Sequence, residues 1–100
     1  MNLHTIQLIT IISVDVLEAR LIGDIKALGV KGYTVSEAHG EGLSLRRDDN
    51  WEGRNIRIEI LASLELTEKI FNLLQKEYFP KYKMIAFSHE VNVLRKEKFQ

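Results

Sequence analysis

The chain has no cysteine and one proline, and its charges cancel. Without cysteine there can be no disulfide, thiolate metal site or cysteine nucleophile. That absence does not argue against a cytosolic protein. Fourteen Lys and Arg against fourteen Asp and Glu leave no net charge, so there is no bulk electrostatic argument for nucleic acid. No uninterrupted apolar run approaches the roughly 18 residues of a membrane span. The first sixteen residues are apolar-rich, but no Lys or Arg precedes them and no small-residue cleavage site follows. A secretory signal is therefore not expected. Repeats, low-complexity segments and internal linkers are all missing.

What is present fits one globular domain. One hundred residues, 45% hydrophobic and 28% charged, are enough for a core of their own. Leu3–Ile12 reads as a first strand with Ile6, Leu8, Thr10 and Ile12 on one face and Gln7, Ile9 and Ile11 on the other. Apolar residues on both faces mark a central strand. A helix follows, capped by Ser13 or by an Asp15–Glu18 box, with Val14, Leu17, Leu21, Ile25 and Leu28 as its apolar stripe. Gly23 within it predicts close packing, and Gly29 stands where a left-handed terminator is wanted. Tyr33–Ala38 and Asn55–Leu61 read as two further strands. In the second, Ile56, Ile58 and Ile60 alternate with Asn55, Arg57 and Glu59. Ser63 caps a second helix carrying Leu66, Ile70, Leu73 and Leu74, and Pro80 ends it. Lys83–Ser88 is a short fourth strand; Val91–Leu94 either extends the sheet or forms a fifth, edge strand.

That order predicts an α+β, ferredoxin-like βαββαβ sandwich over residues 1–100: a four-stranded antiparallel sheet with both helices on one face. Two helices cover one face only. Ile9 and Ile11 are expected on the uncovered face, buried against other subunits.

The second and third strands are joined by about a dozen residues, Leu43–Arg54, where most hairpins use roughly 2–5. Six of these residues are charged and only Leu43 and Leu45 are aliphatic, which predicts a flexible segment. Trp51, beside Glu52 and Arg54, reads as a partner-binding anchor. The chemistry elsewhere is sparse. His4, His39 and His89 have no metal-ligand spacing, and no metal site is predicted. Glu37, Glu41, Glu52 and Glu59 show no acid–base pairing, and Thr34, Ser36 and Ser44 have no base beside them, so no catalytic residue is expected. Gly32, Thr34, Gly40 and Gly42 allow close approach to backbone. Arg46, Arg47 and Arg95 supply guanidinium forks suited to phosphate. Solvated turns and a charged loop would account for the same residues.

Gly32-Tyr33-Thr34-Val35, the Gly40-Glu41-Gly42 pair and Ile58-Glu59-Ile60, in this order, resemble the PII and PII-like signalling proteins. The resemblance spans nearly the whole chain. It is strongest to the SbtB-type bicarbonate-transporter regulators and the carboxysome-associated PII-like branch. It implies a non-catalytic homotrimer with sheet faces at its centre and an adenine nucleotide in the clefts between subunits. The adenine is implied near Gly32, Thr34, Glu59 and Leu61, and the phosphates near Gly40, Gly42, Arg46, Arg47 and Arg95. Leu43–Arg54 corresponds to the signalling T-loop, directed at a membrane transporter for bicarbonate or another small ion, or at a carboxysome-related partner. Bicarbonate is a second candidate ligand. The implied location is cytoplasmic, with recruitment to the inner face of the membrane by the transporter.

Departures from the family pattern matter. Tyr78–Lys83 replaces the glycine-rich loop that holds ATP phosphates, which favours AMP, ADP or cyclic AMP over magnesium-ATP. Ser44 stands where a T-loop arginine is expected. The T-loop tyrosine has no counterpart, and a cysteine-based redox loop is excluded. A metal-handling trimer of the CutA or metal-efflux-associated kind is the alternative, since it shares the fold. A ligand-free structural oligomer is a third.

Overall fold

The computed structural model describes residues 2–40 and 54–94. Strand β1 (His4–Val14) leads through a 3₁₀ turn, Asp15–Leu17, into helix α1 (Glu18–Ala27). Strands β2 (Thr34–Ala38) and β3 (Asn55–Ala62) precede helix α2 (Leu64–Leu73), which continues as a π-helical turn, Leu74–Tyr78. Strand β4 (Ile85–Val93) closes the order. The sheet runs β2-β3-β1-β4 and every pairing is antiparallel. The ferredoxin-like expectation holds, with β1 central as its two-sided apolar pattern predicts. Lys83–Ser88 and Val91–Leu94 resolve into one strand, because β4 pairs with β1 without a break from Ile85 to Val93.

Local sequence explains most element ends. The Ser63 hydroxyl accepts from the Leu66 N–H at 3.1 Å and caps α2, with Glu65 in its first turn favourable to the helix dipole. Gly29 has φ +112°, a conformation that side chains disfavour, just past the end of α1. The start of α1 departs from expectation. Strand β1 runs on to Val14, so Ser13 is buried in the strand and neither Ser13 nor Asp15 caps the helix through its side chain. Asp15 instead donates its backbone N–H to the Arg54 carbonyl at 2.6 Å, fastening the start of β3 to the end of β1. Gly23 is exposed, and a Cβ there would meet nothing within 4 Å. The close packing expected of it does not occur.

One correction concerns the core itself. Ile9 and Ile11 are fully buried with Leu21, Ile25, Ile70 and Leu74, on the helix side of the sheet. Pairing sets the face. Ile9 lies opposite Ile60 and Ile11 opposite Ile58, so the two join the β3 isoleucines that the helices cover. Residues paired directly across a sheet share a face. The open face therefore carries the other set: Ile6, Leu8, Thr10 and Ile12 of β1.

Candidate functional site

Three rungs cross the open face. Thr34, Glu59, Thr10 and Phe87 form one; Ser36, Arg57, Ile12 and Ile85 form a second. Leu61, Leu8 and His89 form the third. Phe87 is 45% and Ile85 39% exposed. Such large apolar side chains on a helix-free sheet face are a surface suited to burial by another chain.

Among the residues expected at a ligand, Thr34 and Glu59 stand directly opposite each other on β2 and β3. Leu61 follows Glu59 by two positions and shares its face. Gly32 lies just before β2 and Gly40 just after it, both exposed with open space where a Cβ would sit. The β2–β3 hairpin thus brings Gly32, Thr34, Glu59 and Leu61 to one region, with Gly40 at the other end of β2. Gly42, Arg46, Arg47, Trp51, Glu52, Arg95 and most of the T-loop lie outside the described residues.

Arg54 lies elsewhere. Its Nη1 donates to Glu37 Oε1 at 3.3 Å, and Glu37 pairs across the sheet with the core residue Ile56, which places it on the helix side. Both side chains are more than 70% exposed, so the pair contributes little to stability. Arg54 and Glu37 line a cleft of about 210 Å³ with Asp15 and Glu18. Asp15 Oδ1 is buried there with no hydrogen-bond partner among the described residues. Nor is there, among them, a group of three or more His, Asp or Glu side chains arranged to hold a metal. No described helix is long and apolar enough to cross a membrane.

A second arrangement escaped the sequence reading. Tyr78 is fully buried and donates its hydroxyl to Asp24 Oδ2 at 2.6 Å. The Arg20 guanidinium lies 4.7 Å from the Tyr78 ring centroid and reaches the Tyr82 hydroxyl at 3.4 Å. Burial first, and then the Asp24 carboxylate, push the Tyr78 phenol well above its ordinary range, with Arg20 opposing. These contacts tie α1 to the segment that follows α2, where Tyr78–Lys83 contains no glycine. Arg20 and Asp24, one turn apart on α1, were the available signal, but Asp24 and its tyrosine partner are 54 positions apart. Beside this segment, Phe71, Leu74, Gln75, Phe79 and Ala86 line a second cavity of about 240 Å³.

Comparison with known proteins agrees with this fold. The family model described as nitrogen regulatory protein P-II matches residues 6–98. A PII-like signaling protein from Thermus thermophilus is 45% identical over 100% of both chains, with a TM-score of 0.86. CPII from Thiomonas intermedia, bound to ADP, AMP and acetate, is 24% identical over 99% of this chain and 98% of its own, also with a TM-score of 0.86. The B. subtilis GlnK–ATP complex is 19% identical over 96% and 91%, with a TM-score of 0.63. Among curated proteins, none matches the chain.

Proposed function

Because the chain belongs to the nitrogen regulatory protein P-II family, we propose that it is a non-catalytic homotrimeric regulator that binds an adenine nucleotide between subunits. The observation that carries this reading is the Thr34–Glu59 rung, with Leu61 beside it, on a sheet face left open by both helices. The donor set fits adenine. The Glu59 carboxylate accepts from an exocyclic amine, the Thr34 hydroxyl donates or accepts, and Leu61 offers an apolar flank to the ring. Gly32 and Gly40 leave the backbone accessible on either side of β2.

CPII bound to ADP and AMP supports the ligand class, and CPII bound to ADP and bicarbonate supports bicarbonate as a second ligand. The phosphates are assigned to Gly40, Gly42, Arg46, Arg47 and Arg95. AMP, ADP or cyclic AMP is preferred over magnesium-ATP. The tyrosine-pinned segment after α2 supports this, since it lacks the run of glycine N–H groups that would cradle a third phosphate.

The Leu43–Arg54 loop, with Trp51 as its anchor and Glu52 and Arg54 beside it, carries the signal to a membrane transporter for bicarbonate or another small ion, or to a carboxysome-related partner. Through that loop the chain is recruited from the cytoplasm to the membrane. The nucleotide acts by favouring one loop state over another, and so needs different affinities for the two.

A thermal-shift panel tests the reading. AMP, ADP or cyclic AMP should raise the melting temperature, more than magnesium-ATP does, in proportion to affinity. A rise with copper or zinc and none with nucleotides would support the metal-handling alternative instead.

A further inference from the structure

The end of α2 is not α-helical. Leu74–Tyr78 is a π-helical turn, closed by the Phe79 N–H on the Leu74 carbonyl at 2.8 Å. A π turn takes in one residue more than an α turn. Leu74, Gln75 and Phe79 belong to this wide turn, and with Phe71 and Ala86 they line the cavity of about 240 Å³. The local sequence does not ask for it. Leu, Gln, Lys and Glu are good α-helix formers. Pro80 stops a helix, but stopping one does not require a wide turn.

What the local sequence does not supply comes from α1. Tyr78 is fully buried, its hydroxyl donates to Asp24 Oδ2 at 2.6 Å, and the Arg20 guanidinium lies over its ring. The Tyr78 carbonyl in turn accepts from the N–H groups of Lys81 at 3.0 Å and Tyr82 at 2.8 Å. From Phe79 to Tyr82, each residue either bonds back to the π turn or, as Pro80, has no N–H. In an α register every carbonyl would be met one residue earlier. Tyr78 would rotate about the helix axis, its hydroxyl would leave Asp24, and one residue would pass into the connection to β4.

We infer that the Asp24–Tyr78 hydrogen bond is a register lock. It holds the end of α2 in the π form against the α form that the local sequence favours, and so fixes the length and order of the Phe79–Met84 connection. A hydrogen bond to a carboxylate is stronger than a neutral one. Made in one register only, it biases the two by its differential worth. The connection enters β4 at Ile85, opposite Ile12, near the end of the sheet where Arg54 bonds Asp15. The lock therefore sets how rigidly that end of the fold is closed.

Nuclear magnetic resonance on the ligand-free full chain tests this, with circular dichroism confirming that each variant is folded. Coupling across the hydrogen bond, from the Phe79 nitrogen to its acceptor carbonyl carbon, reads the register directly. The wild type should couple Phe79 to Leu74. Tyr78→Phe, which keeps the ring, and Asp24→Ala should couple it to Gln75, with exchange of the Lys81 and Tyr82 amides faster by about tenfold or more. Asp24→Asn keeps an acceptor and should keep the Leu74 coupling, as should Pro80→Ala. A Leu74 coupling that survives in both Tyr78→Phe and Asp24→Ala overturns the lock. So does a coupling that moves to Gln75 in Pro80→Ala, which would assign the π turn to the proline.

Discussion

The two faces of the sheet are built from alternate residues of the same strands, yet they are finished to different degrees. On the helix side Ile9, Ile11, Ile58 and Ile60 are 0–1% exposed and packed by Leu21, Ile25, Ile70 and Leu74. On the open side Thr34, Arg57, Glu59, Phe87 and His89 form ordered rungs that neither helix covers. One chain completes the first face alone. The second is left open by both helices, which is why the ligand and the assembly are proposed there.

Charge placed on each face gives the sharpest contrast. Ile9→Asp should unfold the chain outright, because an unpaired carboxylate in the closed core costs several kcal/mol against a total stability of about 5–15. Circular dichroism should show loss of structure. Phe87→Asp should leave the dichroism native and abolish assembly, which light scattering would read as a monomer. Equal behaviour of the two variants would erase the distinction between the faces.

The face assigned to Ile9 marks the limit of the sequence signal. Alternation separated the two residue sets of β1 correctly, but both sets are apolar, so the strand alone could not tell which one the helices cover. Strand β3 is asymmetric: Ile56, Ile58 and Ile60 against Asn55, Arg57 and Glu59. Pairing Ile9 with Ile60 and Ile11 with Ile58 would have assigned the face. Elements marked by local chemistry were legible, among them the Ser63 cap and the Gly29 terminator. The Thr34–Glu59 pair was reached through resemblance and then placed by register. The Tyr78–Asp24 bond was not legible, because no local pattern announces a partner on another helix.

That bond predicts a smaller effect, confined to the closed side. Tyr78→Phe should lower stability by about 1.5–3 kcal/mol in urea unfolding, since it removes a hydrogen bond to a carboxylate and leaves the assembly intact. The raised phenol value also fixes a pH dependence. The unfolded chain loses the proton near pH 10 while the folded chain holds it. The contribution is therefore full below about pH 10 and is lost as pH rises beyond it. Tyr78→Phe should flatten that alkaline decline; an unchanged slope would mean the hydroxyl is not held as described.

Smallest is the effect of Gly23→Ala on the outer surface of α1. With open space for a Cβ and helical backbone, the change should raise stability by about 0.5–1 kcal/mol and leave both faces untouched. A destabilised Gly23→Ala would show that the position is covered by another copy.

Calorimetric titration of ADP into the wild-type assembly and into monomeric, folded Phe87→Asp tests the central claim most directly. Binding to the assembly with none detectable to the monomer is the expected result, since the proposed site is completed only between copies. Equal affinity for the two proteins would place the nucleotide within a single chain and contradict the account.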